Sequence, residues 1–328
     1  MKITELSIIY MLFIFPLLVY SQWQSEDTNT FAKLNHRYDG ALTVAAHDAI
    51  DQLRVNANPN FEAGYDSTKY SFVNPEAAFD TFMHTLSLNF GVKDRISQDV
   101  LERYVPVFAV MDYDGALFNV YQTFTNDEGL QEIKRVWLPK IPFTYSDSAG
   151  NIVSFTLDEN VVVYDAGLSE WVSGNRVDIK DEVNIPLLND PVQFDSTRRE
   201  TIVNTLQDEL AYYINEHNVY TKQLGITYKF ALPLIPQEDW YNTVDDIGIF
   251  AFFQGYPYER GRGTYNQFAF TGSRLFKDEA IYGATVNGQK VFYKESCGYP
   301  YIAEEVFSNK KEAARAGYFE KSCLNNQP

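Results

Sequence analysis

The chain is 328 residues long and 45% hydrophobic, enough for one large or two modest domains. A formal charge of −17 argues against nucleic acid as a partner, because neutralising phosphates requires a basic surface. The acids are scattered, which reads as a solvated surface, while 23 Tyr and 24 Phe point to half-buried strands edged by phenols.

Residues 6–20 (LSIIYMLFIFPLLVY) carry no charge and are followed by Ser21, Gln22 and Trp23, an interfacial ending. The expectation is a membrane anchor over residues 1–23. A cleaved signal peptide, cut before Gln22 with Val19 and Ser21 at the small-residue positions, is the alternative for a run of this length. Phe31, Leu34, Tyr38, Leu42, Ala45, Ala49 and Leu53 then recur at helical spacing and extend the apolar stripe into a helical stalk over residues 24–56, with bends expected at Pro16 and Gly40.

This layout over about the first 55 residues resembles type IV pilins and TadE-like minor pilins. The resemblance implies an apolar helix that anchors the subunit and continues as a stalk carrying a globular head. Glu5 looks like the acidic assembly residue of that helix and Pro16 like its kinking proline. The chain opens Met1-Lys2-Ile3-Thr4-Glu5, without the glycine of a prepilin peptidase site, and an ordinary signal-anchor accounts for the same residues.

After a polar loop, residues 57–104 read as a helical connector. Asn74-Pro75-Glu76 starts a helix that Gly91 stops, and a second helix over 94–104 ends at Pro106. Residues 105–328 read as an α+β head. Strands over 105–111 and 116–124 flank Asp112-Tyr113-Asp114-Gly115, strands over 143–145 and 152–157 flank Ser148-Ala149-Gly150-Asn151, and 161–164 is a further apolar run. A long amphipathic helix follows, from a Thr197/Glu200 capping box through Ile202, Leu206, Leu210, Tyr213, His217 and Tyr220 to Leu224, with Gly225 as its stop. Strands over 226–232, 247–253, 267–276 and 290–294 are expected to cover its stripe with a mostly antiparallel sheet. His217 falls on that stripe and reads as a hydrogen-bonded core residue.

The only cysteines, Cys297 and Cys323, are expected to form a disulfide closing the C-terminal unit. Residues 293–323 also resemble the small zinc-binding module of Ada-type and nuclease-associated proteins, through Phe307-Ser308, Glu312-Ala313 and Gly317-Tyr318. Only Cys323 stands where that family carries a cysteine pair, so no metal is expected, and a short helix over 310–316 should end at Gly317.

Residues 107–119 (VFAVMDYDGALFN) resemble the first motif of haloacid-dehalogenase-type phosphatases, which would make Asp112 the nucleophile and Asp114 the general acid beside Mg²⁺. The family's later acidic pair should follow its Thr/Ser strand, whereas Asp245-Asp246 precedes Phe268-Ala269-Phe270-Thr271-Gly272, and a hairpin turn accounts for Asp112 and Asp114 without chemistry. No P-loop, H-E-x-x-H or G-x-S-x-G occurs.

The combined expectation is an α+β protein with an N-terminal transmembrane helix continuing as a stalk, and a head beyond the membrane in which a mostly antiparallel sheet packs against a long helix. The function that follows is a pilin-like structural or assembly component of a cell-surface apparatus, not an enzyme, without cofactors, whose partners are the membrane and other subunits. A secreted or tethered binding protein is the alternative, its aromatic loop offering Phe253 and Tyr256 beside Arg260 and Arg262 to a polymer.

Overall fold

The structure is a computed structural model that describes residues 8, 10–53, 67, 69–126, 128–258, 264–272, 281–286, 288–294, 299–307 and 310–321. It divides into two compact units, Met1–Ser273 and Arg274–Pro328.

In the first unit a π-helical turn, Tyr10–Ile14, leads into one unbroken helix, α1 (Phe15–Gln52). Pro16 sits in its first turn, where a missing N–H costs nothing, and Gly40 is absorbed without a break. One helix thus runs through residues 15–52 without the bends expected at Pro16 and Gly40. The transmembrane expectation is overturned, and with it the signal-anchor and the single-pass placement: among the described residues no helix is long and apolar enough to cross a membrane. The physical reason lies in length. A straight span needs about 20 apolar residues, whereas the same helix runs from Tyr20 into Ser21, Gln22, Gln24, Ser25, Glu26 and Asp27.

Helix α2 (Pro75–Phe90) begins as its sequence dictates, with Asn74 Oδ1 accepting from the Ala77 N–H at 3.1 Å, and ends at Gly91 in the left-handed region, φ 71°. Helix α3 (Arg95–Glu102) is capped by Asp94 in the same way. Ala45, Ala46 and Ala49 are wholly buried in the stretch of α1 that packs against α2 and the sheet.

A nine-stranded antiparallel sheet follows: β1 (Phe108–Asp112), β2 (Gly115–Thr125), β3 (Gln131–Trp137), β4 (Ile141–Ser146), β5 (Ile152–Phe155), β6 (Asn160–Asp165), β7 (Glu170–Asn175), β8 (Gly248–Pro257) and β9 (Thr264–Gly272). Its spatial order is β7-β6-β5-β4-β2-β1-β8-β9, with β3 paired to β2. Both faces of the central strands are covered. Phe108 meets Phe79 and Phe82 of α2, whereas Phe118 meets Tyr213 of the long helix α5 (Pro191–Gln223) on the other face. This dual burial explains why β1 and most of β8 read as continuous apolar runs instead of alternating ones.

Helix α5 begins earlier than its capping box implies. Asp190 Oδ1 accepts from the Val192 and Gln193 N–H groups and Pro191 occupies the first turn, so Asp190-Pro191 takes over the start. Residues 226–232 form no strand. Asn218 of α5 instead binds both the N–H and the carbonyl of Phe230, occupying the groups that a ladder would need. Between β7 and α5 lies the short helix α4 (Arg176–Ile179), and before β8 the helix α6 (Gln237–Thr243).

The second unit is a four-stranded sheet of β10 (Ile281–Val286), β11 (Gln289–Lys294), β12 (Glu305–Phe307) and β13 (Phe319–Glu320), with helix α7 (Lys310–Arg315). The strand expected at 290–294 therefore belongs to this sheet and not to the one that covers α5. Ile281, Phe292, Phe307, Ala313 and Tyr318 form its core. Gly283 is required there, since a Cβ would lie 2.8 Å from both the Phe307 and the Tyr318 rings.

Candidate functional site

The C-terminal half of α1 is fastened to the head by an aromatic collar. Tyr38 stacks on Phe90 at 4.6 Å and on Tyr258 at 5.7 Å, and it meets Tyr265 edge-on at 5.4 Å. Two phenols then reach back to the helix: Tyr258 donates to Asn35 Oδ1 and Tyr265 to Asp39 Oδ1, each at 2.7 Å. Burial, reinforced by the Asp39 carboxylate, raises the Tyr265 phenol above its ordinary range and keeps it a donor. From Tyr38 onward α1 buries Ala41, Leu42, Ala45, Ala46, Ala49, Ile50 and Leu53.

At its N-terminal end the rod is exposed at nearly every described position from 8 to 20. Met11, Phe13, Leu17 and Tyr20 are 67, 70, 67 and 66% exposed, and Ile8, Tyr10, Ile14, Phe15 and Leu18 are exposed as well. Successive residues on a helix point 100° apart, so exposure at nearly every described position from 8 to 20 means that the apolar surface encircles the rod. It is not a stripe with one seam.

The residues expected to form an aromatic binding loop lie elsewhere. Phe253 is within β8, fully buried, with its ring 5.1 Å from Phe90 and 5.7 Å from Tyr265. Tyr256, in the same strand, is half-buried against Tyr38, Phe90 and Tyr104. Both belong to the collar, Phe253 through Phe90 and Tyr265, and Tyr256 through Tyr38 and Phe90. Arg260, Arg262, Glu5, Cys297 and Cys323 lie outside the described residues.

Asp112 and Asp114 occupy the two-residue turn region of the antiparallel β1–β2 hairpin, where Asp112 pairs with Gly115. Lys140 bridges them, its Nζ 2.6 Å from Asp112 Oδ2 and 2.7 Å from Asp114 Oδ1, while Asp112 Oδ1 accepts from the Tyr113 N–H. Burial pushes the Asp112 carboxyl up, against the pull of Lys140; burial pulls the Lys140 ammonium down, and the two carboxylates more than reverse that. Each Asp112 oxygen thus faces a donor of the chain itself.

Two further polar clusters join elements of the head. Asp158 accepts from Tyr113, Thr156, the Asn160 N–H and Ser67; burial works against the charge, but these bonds hold its carboxyl below the usual range. Arg135 is buried between the Phe79 and Tyr121 rings and donates to Asn119 and to the Val105 carbonyl. Beside it His217 Nε2 lies 2.8 Å from the Arg103 carbonyl, and its Nδ1 has no partner among the described residues. Burial, with Arg135 nearby, lowers the imidazole pKa to about 3 and keeps the ring neutral. The core reading of His217 is what the structure shows.

Among the described residues no group of three or more His, Cys, Asp or Glu side chains is placed to hold a metal. Comparison with known proteins finds no matching family model, no matching curated protein and no matching solved structure.

Proposed function

We propose that the chain is a structural subunit that joins a larger protein assembly through the end of α1 preceding the Tyr38 collar, and that the nine-stranded head is what the assembly carries. The observation behind this reading is the all-round apolar surface of residues 8–20 on a rod whose other half is locked into the head. A helix that is apolar on every side is stable in water only when surrounded. Burying nine such side chains contributes on the order of 10 kcal/mol or more, comparable with the cost of association. The resemblance of the first 55 residues to pilins and TadE-like minor pilins agrees with a helix used for packing subunits together. Sedimentation of the full chain against a variant beginning at Gln22 tests it. The full chain should form discrete higher assemblies and the shortened one a folded monomer; equal assembly of both would refute the reading.

One observation favours a second reading. A run of 15 apolar residues matches the core of an export leader, about 7–15 residues, and Val19 and Ser21 precede Gln22 as a cleavage site requires. The head would then act as a free binding protein. N-terminal sequencing of the native chain separates the two, Met1 supporting assembly and Gln22 supporting release.

A further inference from the structure

Among the described residues strand β7 is the last strand of the large sheet and pairs only with β6. Natural edge strands are usually guarded by proline, inward lysine, a bulge or a covering loop. Residues 170–175 (EWVSGN) contain neither proline nor lysine, their register with β6 is unbroken, and no backbone hydrogen bond ties Trp171–Asn175 to anything beyond β6 among the described residues.

The two faces of this edge differ in chemistry. On the face opposite α5, Ile152, Tyr164 and Trp171 are direct cross-strand partners in one row, the Tyr164 and Trp171 rings 5.2 Å apart, and Trp171 is 60% exposed. On the other face Gly174 rests on Ile179 of α4, and the acidic rim comes from exposed Glu170, which opens β7, and from exposed Asp178, Asp181 and Glu182 in and just after α4, with Lys180 the one half-exposed base among them.

We propose that the free edge of β7 is a docking site for an extended segment of another protein in which apolar and basic residues alternate. Such a segment adds a tenth strand. Its backbone takes up the unpaired groups of β7, its apolar side chains extend the Ile152–Tyr164–Trp171 row, and its Lys or Arg side chains, pointing to the opposite face by the two-residue period, meet the acidic rim. Charge decides against a second copy as the occupant, because edge-to-edge pairing of two β7 strands sets one acidic rim against the other. The inference is independent of the role given to α1.

The test is calorimetric titration of the full chain with a short peptide alternating valine and lysine, and with its valine–glutamate counterpart. The lysine peptide is expected to bind, with affinity falling as salt is raised, and the glutamate peptide is not. Trp171→Ala and the pair Asp178→Lys with Asp181→Lys should each weaken binding by about tenfold or more, with unfolding midpoints unchanged. No binding, equal binding of both peptides, or binding indifferent to these substitutions overturns the proposal. So does a concentration-dependent dimer abolished by Trp171→Ala, which would make a second copy the occupant.

Discussion

The phenol of Tyr265 in β9 donates to the carboxylate of Asp39 in α1 at 2.7 Å, joining residues 226 positions apart. This bond and its neighbour from Tyr258 to Asn35 fasten the C-terminal half of α1 to the head. Tyr265→Phe keeps the ring in the collar and removes only the donor. Asp39 is half-buried, so the expected loss is about 1–2 kcal/mol. Denaturant unfolding should show that loss, and amide exchange of the first docked turns of α1 should accelerate while β1 stays protected.

Packing of α1 gives a contrast within one helix. Ala49 is fully buried, whereas Val44 is 48% exposed. Ala49→Leu should cost about 1–3 kcal/mol by overpacking, and Val44→Leu should stay within about 0.5 kcal/mol. Equal effects in thermal unfolding would contradict tight packing around Ala49.

His217 makes stability depend on pH in a defined direction. Its folded pKa is depressed to about 3, so the unfolded chain, with an ordinary imidazole near 6.5, binds the extra proton. The contribution is complete above that unfolded value and is lost as pH falls toward the folded one, by at most about 1.4 kcal/mol per pH unit. Denaturation midpoints between pH 7 and pH 4 should fall more steeply for the parent chain than for His217→Leu.

The Asp112–Lys140–Asp114 bridge predicts inertness. An aryl phosphate with Mg²⁺ should be turned over no faster by the parent than by Asp112→Asn. Lys140→Met should destabilise by about 2 kcal/mol, between the values for exposed and fully buried pairs. Because the Asp112 pKa is already raised, that deficit should shrink on acidification as the carboxyl protonates and loses its unpaired charge. A deficit that grows toward acid pH would place the strain elsewhere.

Much of the local structure was legible because it depends on neighbours in sequence. Asn74-Pro75 and Gly91 bound α2 by capping alone, the period of 202–224 sets the buried stripe of α5, and Asp112–Gly115 turns a hairpin. Strands β3 and β7 escaped notice for a physical reason: QEIKRVW and EWVSGN lie at the margins of the sheet, where partial exposure removes the apolar alternation that marks a strand. The strand expected at 226–232 gives way to side-chain bonding: Asn218 holds the backbone of Phe230 and Gln254 that of Ala231.

By itself the sequence determined where the bodies of the long helices α1, α2 and α5 run, which side of their docked parts is apolar, and that residues 6–20 are an uncharged apolar run; these follow from periodicity and composition, which are properties of single segments. Only the tertiary structure decided what those faces meet. Tyr38, Phe253 and Tyr256 read alike as aromatics in a string, yet pairings across more than 200 residues make them a collar. Trp171, no more apolar on paper, is left bare because β7 is where pairing ends. Burial is a property of partners, and partners distant in the chain leave no local mark.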